Sequence, residues 1–147
     1  MNVSAALVLL AAATQPAANL TNIRMHLFYE GTGRLSSDLT EAAGGFAGWN
    51  VIIGGGDAEE PANDLLVVAE VQSPDEKFVK TPLRIIVTNA KGKHLASREF
   101  RTFLIPKGGR VYLPVWVPDA GCVGDVKVSV RFGNQRKSET VGLQCGE

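Results

Sequence analysis

Val126, Val128, Val130 and Phe132 alternate with Lys127, Ser129 and Arg131 and run into Gly133-Asn134. Side chains along a strand point to opposite faces in turn, so this stretch sets four apolar groups on one face and polar ones on the other. Gly and Asn both tolerate positive φ, which makes them a two-residue hairpin turn. With Phe132 facing Gln135, the count outward through 130/137, 128/139, 126/141 and 124/143 brings Cys122 opposite Cys145. Opposed pairs alternate in type, and this one is a non-hydrogen-bonded pair with Cα atoms roughly 4.5 Å apart. A disulfide spans that distance. Turn chemistry and cysteine spacing therefore specify one register independently.

Such a bond closes a loop of about two dozen residues and contributes about 3 kcal/mol in the chain-entropy picture. It requires an oxidising compartment. The alternatives are two buried free thiols or a redox pair, and the latter normally shows the C-x-x-C spacing that is absent.

Upstream, strand-like runs are separated by turn residues, without sustained helical periodicity. The first strand is expected over Ile23 to Glu30, ending at Gly31-Thr32-Gly33. Residues 34 to 64 are irregular, with a helical turn at Leu39 to Ala43 and a short strand at Trp49 to Ile53. A connection of that length is expected to carry structure or function of its own. Leu65 to Gln72 is a near-continuous apolar run, Leu83 to Thr88 another, and the turn at Asn89-Ala90-Lys91-Gly92-Lys93 joins the latter to Leu95 through Leu104. Val111, Leu113, Val115 and Val117 then alternate with Tyr112, Pro114 and Trp116. Pro114 cannot donate to a ladder, so this strand belongs at a sheet edge or carries a bulge. The expected fold is all-β, an immunoglobulin-like antiparallel β-sandwich of about seven strands.

The chain has 147 residues, enough for one core and too few for two. Ala5 to Ala13 is an apolar run of signal-peptide length followed by small residues and Pro16, and Ala11-Ala12-Ala13 fits a cleavage pattern, although no basic residue precedes the run. Residues 1 to 18 are therefore read as a signal peptide and 19 to 147 as a single domain, periplasmic or secreted, with no membrane span in the mature chain. Formal charge is zero, which argues against a nucleic-acid partner. The balance conceals an asymmetry. Residues 14 to 64 carry two basic and seven acidic side chains, and 65 to 147 carry thirteen basic and eight acidic. Either the halves neutralise each other across the fold or one face is left charged for a partner.

No enzyme motif is present, and no catalytic residue is assigned. His26 sits in the first strand and His94 beside a turn, and neither is near a nucleophile in sequence. Gly54-Gly55-Gly56 lacks the Lys and hydroxyl residue of a phosphate loop and reads as a turn. Asp57, Glu59, Glu60 and Asp64, with Asn63, bring together hard oxygen ligands suited to calcium, although not in the spacing of an EF-hand. The alternative is a solvated acidic loop. Tyr112 and Trp116 share the outward face of the expected edge strand beside Arg110, the composition of recognition surfaces and sugar-stacking platforms. They either bind a ligand or pack beneath the segment containing Trp49.

These features suggest an exported, non-enzymatic module that binds a protein or other extracytoplasmic ligand through its edge strand or the 34 to 64 segment, with no cofactor expected. Two other readings remain: a calcium-dependent domain organised by the acidic loop, and a hydrolase whose site is assembled only in space.

Overall fold

In the computed structural model, which describes residues 18–145, the chain folds into two four-stranded antiparallel sheets packed face to face. In chain order the strands are β1 (Asn19–Tyr29), β2 (Arg34–Leu35), β3 (Asp64–Gln72), β4 (Lys77–Val79), β5 (Leu83–Asn89), β6 (His94–Phe100), β7 (Phe103–Ile105), β8 (Arg110–Val117), β9 (Gly124–Phe132) and β10 (Gln135–Leu143). A 3₁₀ turn at Leu39–Glu41 lies where the helical turn is expected. The first sheet runs β2-β1-β3-β8 and the second β10-β9-β5-β6, while β4 and β7 form a separate ribbon. The all-β, immunoglobulin-like sandwich is therefore the fold. Ala5 to Ala13 lies outside the described residues.

The core follows from period-two alternation. Ile23, Met25 and Leu27 of β1, Leu65, Val67, Ala69 and Val71 of β3, and Leu113, Val115 and Val117 of β8 face inward from the first sheet. Leu83, Ile85 and Val87 of β5, Val126, Val128, Val130 and Phe132 of β9, and Val141 and Leu143 of β10 meet them from the second. Burying each large aliphatic group contributes about 1.5–3 kcal/mol, and the interleaved side chains are the main stabilising element.

The C-terminal hairpin has the expected register, from Gln135 opposite Phe132 to Leu143 opposite Gly124. The disulfide joins Cys122 and Cys145 across a Cα separation of 4.8 Å. It lies beyond the last ladder pair, because Gly124 (φ 76°) and Cys122 (φ 61°) turn the chain out of extended backbone. The bond clasps the hairpin's open end and is not a rung within the ladder.

Two local expectations differ from the structure. Trp49 to Ile53 is a turn and not a strand, bracketed by the left-handed residues Asn50 (φ 53°) and Gly54 (φ 74°). Val51 inserts into the core while Ile52 and Ile53 point outward, so the apolar run serves both a plug and an exposed tip. The 95 to 104 run breaks after Phe100, since β6 pairs with β5 whereas β7 leaves that sheet to pair with β4. Short β2, β4 and β7 bring the strand count above seven.

As Pro114 implies, β8 is an edge strand. The edges are not bare. Arg98 Nη1 of β6 donates to Pro114 O at 2.9 Å. Along β1, Met25 N donates to Asp38 Oδ1 and Leu27 N to Ser36 Oγ, which ties the β2 and 3₁₀ segment to the strand's flank. At β10, Gly48 N donates to Gly142 O, docking the irregular segment there.

Candidate recognition face

The outward side of the first sheet is built from positions that alternate with the core. The register sets His26, Leu66 and Trp116 in one row, Arg24, Val68 and Pro114 in the next, and Asn22, Glu70 and Tyr112 in a third, with Gln72 and Arg110 beyond. Tyr112 and Trp116 are 47 % and 41 % exposed. They do not pack beneath Trp49, which is itself exposed. Leu66 and Val68, the outward members of the apolar β3 run, are half-buried between the flanking strands.

Both aromatic side chains are held in place. Trp116 Nε1 donates to Asp64 Oδ2 at 2.7 Å, and Asp64 Oδ1 accepts from Asp119 N. The indole meets Phe28 edge-on, with ring centroids 5.2 Å apart, a geometry that the ring quadrupoles favour. Tyr112 lies under the Arg24 guanidinium, 5.5 Å from the ring centroid, a cation–π arrangement. Arg110 Nη1 approaches the Tyr112 hydroxyl at 3.4 Å.

Glu70 organises this region. Its side chain is outward by strand parity yet only 3 % exposed. Oε2 accepts from Arg24 Nη2 at 3.0 Å, and Oε1 accepts from Gln72 Nε2 at 2.6 Å and lies 3.0 Å from Arg110 Nε. An ionised carboxylate so far removed from water needs charged partners, which the two arginines supply. The Tyr112 hydroxyl and the nearby Glu70 carboxylate together raise the Arg110 guanidinium above its ordinary value. The result is a fixed file of charged and aromatic groups running across three strands. Arg24, Glu70 and Asp64's contact with Trp116 were not anticipated from sequence. One signal was available: Glu70 is the single charged residue between Leu65 and Gln72, at the outward parity.

The acidic residues of the 57 to 64 loop do not converge on one site: Asp57 and Glu59 line a cleft shared with Asp38 and Glu41, while Glu60 and Asp64 lie outside it. Asp57 Oδ2 accepts from Ala47 N, Glu60 pairs with Arg34 and Thr32, and Asp64 holds Trp116. Glu59 contributes its backbone N–H to the Tyr29 hydroxyl. Among the described residues, no group of three or more His, Cys, Asp or Glu is placed to hold a metal ion. His26 Nδ1 lies 2.9 Å from Ser36 O, as part of the closure of the β1 edge, and His94 is exposed beside its turn. No described helix is long and apolar enough to cross a membrane.

No family model matches the chain, and no curated protein matches it. Among solved structures it is similar to the crystal structure of the C-terminal domain of wzt, with a TM-score of 0.45 and 10 % identity, covering 90 % of this chain and 75 % of that one.

Proposed function

We propose that the chain is an exported, non-enzymatic recognition module that holds a saccharide on the outer face of the β1-β3-β8 sheet. The observation that carries this reading is the pairing of two exposed, hydrogen-bonded aromatic side chains, Trp116 and Tyr112, with the clamped Arg24–Glu70–Arg110 group beside them. A sugar ring offers an apolar C–H face to an indole and hydroxyls to charged neighbours, so stacking and hydrogen bonding can act together. The groups are ordered before any ligand arrives, which lowers the entropic cost of binding. The disulfide supports an extracytoplasmic location.

The test is a screen of the purified mature chain on an array of neutral oligosaccharides, followed by tryptophan-fluorescence titration with the strongest hit. Trp116→Ala is expected to weaken binding at least tenfold, about 1.4 kcal/mol, measured well below a melting temperature that falls with loss of the Asp64 hydrogen bond and the Phe28 contact. A chain that binds no array member, that binds equally well without Trp116, or that hydrolyses its ligand refutes the proposal.

A further inference from the structure

The opposite face of the sandwich has a different character. On the outer side of the second sheet, Arg136 of β10 stands opposite Arg131 of β9, and Arg131 stands opposite Arg84 of β5. Three arginines thus occupy one row on three adjacent strands, whose spacing is about 4.8 Å. Like charges directly opposed across strands are destabilising, so a folded protein that keeps three in line without counter-charge bears a cost. Counter-charge is scarce here. The row ends at Glu99, opposite Arg84, but Glu99 pairs with Arg101 at 3.5 Å. None of the four ion pairs found among the described residues involves Arg84, Arg131, Arg136 or Lys127.

The asymmetry between the chain's halves is carried in part into the sheets, since the first sheet draws β1 and β2 from the acidic half and β3 and β8 almost wholly from the basic one. All four strands of the second sheet come from the basic half, and only Arg24–Glu70 among those ion pairs joins one half to the other.

The basic row also borders a concavity. A cleft of about 400 Å³ is lined by the three arginines together with Lys127, Ser129 and Ser138. Ser138 and Ser129 are themselves opposed, and with Ile86 they form the row next to the arginines. Forked guanidinium donors beside hydroxyl donors match a tetrahedral oxyanion. Ile86, half-buried, supplies an apolar floor between the arginine row and Lys127.

We infer that this cleft binds the phosphate or sulfate ester of a soluble anionic ligand, with the oxyanion at the arginine row and the rest of the ligand crossing Ile86 toward Lys127. A soluble ligand is favoured over a membrane surface because the cationic groups line a recess and the face carries none of the exposed large apolar side chains that insert into lipid.

The experiment is isothermal titration of the full chain with pyrophosphate at near-physiological ionic strength, about 0.15 M, alongside thermal melts and arginine Nε–H NMR shifts. Saturable binding is expected, with shifts confined to Arg84, Arg131 and Arg136 and a higher melting temperature on adding pyrophosphate. Arg131→Gln should weaken binding at least tenfold and abolish the ligand-induced rise, while its own melting temperature at low salt equals or exceeds that of the parent because a like-charge contact is gone. Lys127→Gln should have a smaller effect, and Trp116→Ala none, which separates this cleft from the saccharide face. Inorganic sulfate competing with pyrophosphate supports the oxyanion assignment. The inference is overturned by absent or unsaturable binding, by binding that survives Arg131→Gln, or by binding to phosphatidylglycerol vesicles that pyrophosphate cannot displace.

Discussion

Asp38→Ala tests how the open flank of β1 is sealed. Asp38 Oδ1 accepts from Met25 N at 3.1 Å, from Thr40 N at 3.1 Å and from Thr40 Oγ1 at 2.8 Å. Met25 is fully buried in the core, so its amide loses its acceptor when the carboxylate is removed. A buried donor left unsatisfied costs about 1–3 kcal/mol. Losing the N-cap of the 3₁₀ turn adds up to about 1 kcal/mol, less here because the turn spans three residues. The expected loss is about 2–3 kcal/mol, or a fall in melting temperature of roughly 6–15 °C for a domain of this size. Urea denaturation should show a lower midpoint with an unchanged m-value. Asp38→Asn retains the Oδ1 acceptor but puts an amide N–H₂ where Oδ2 is buried without a partner, so it should lose about 1 kcal/mol. Alanine within 0.5 kcal/mol of the parent (about the noise of a surface substitution), or asparagine as damaging as alanine, would show that the flank is held by other contacts.

Replacing Cys122 and Cys145 with serine should destabilise the domain by about 3 kcal/mol, and intact mass with and without reductant should report the bond in the parent. Arg34 donates to Glu60 Oε1 at 2.7 Å and holds the Glu60 carboxyl below its ordinary value. A carboxyl whose folded-state pKa is depressed stabilises the fold above its unfolded pKa, and loses that contribution as pH falls through the folded value. The stability gap between the parent and Glu60→Gln should therefore be constant from pH 7 to about 5 and shrink below about pH 4. Calcium titration should give neither heat nor a higher melting temperature. A site with Kd near 10 μM would instead add about 2.7 kcal/mol at roughly 1 mM calcium.

The C-terminal hairpin was legible because everything that determines it is local. A period of two, a turn requiring positive φ and two cysteines lie within 24 residues, and each constrains the same register. The edge position of β8 was legible for a similar reason, since Pro114 lacks a donor wherever it is placed. Trp49 to Ile53 was misread because an apolar run of five residues has the same composition whether it forms a strand or a turn. The left-handed Asn50 and Gly54 decide between them.

The recognition face shows the same division. Tyr112, Trp116 and Arg110 stood out through their outward parity on one strand. Arg24 and Glu70 are 46 residues apart, and Asp64 and Trp116 are 52 apart. No local pattern joins such pairs, because it is the register of β1 on β3 and of β3 on β8 that brings them together. The arginine row is assembled in part by β5 pairing with β9, again across a long separation. Which strand side chains point in and which point out can be read from residue order, since parity is a property of each strand alone. Which outward side chains become neighbours cannot be read that way, because adjacency across a sheet depends on the pairing of strands far apart in the chain.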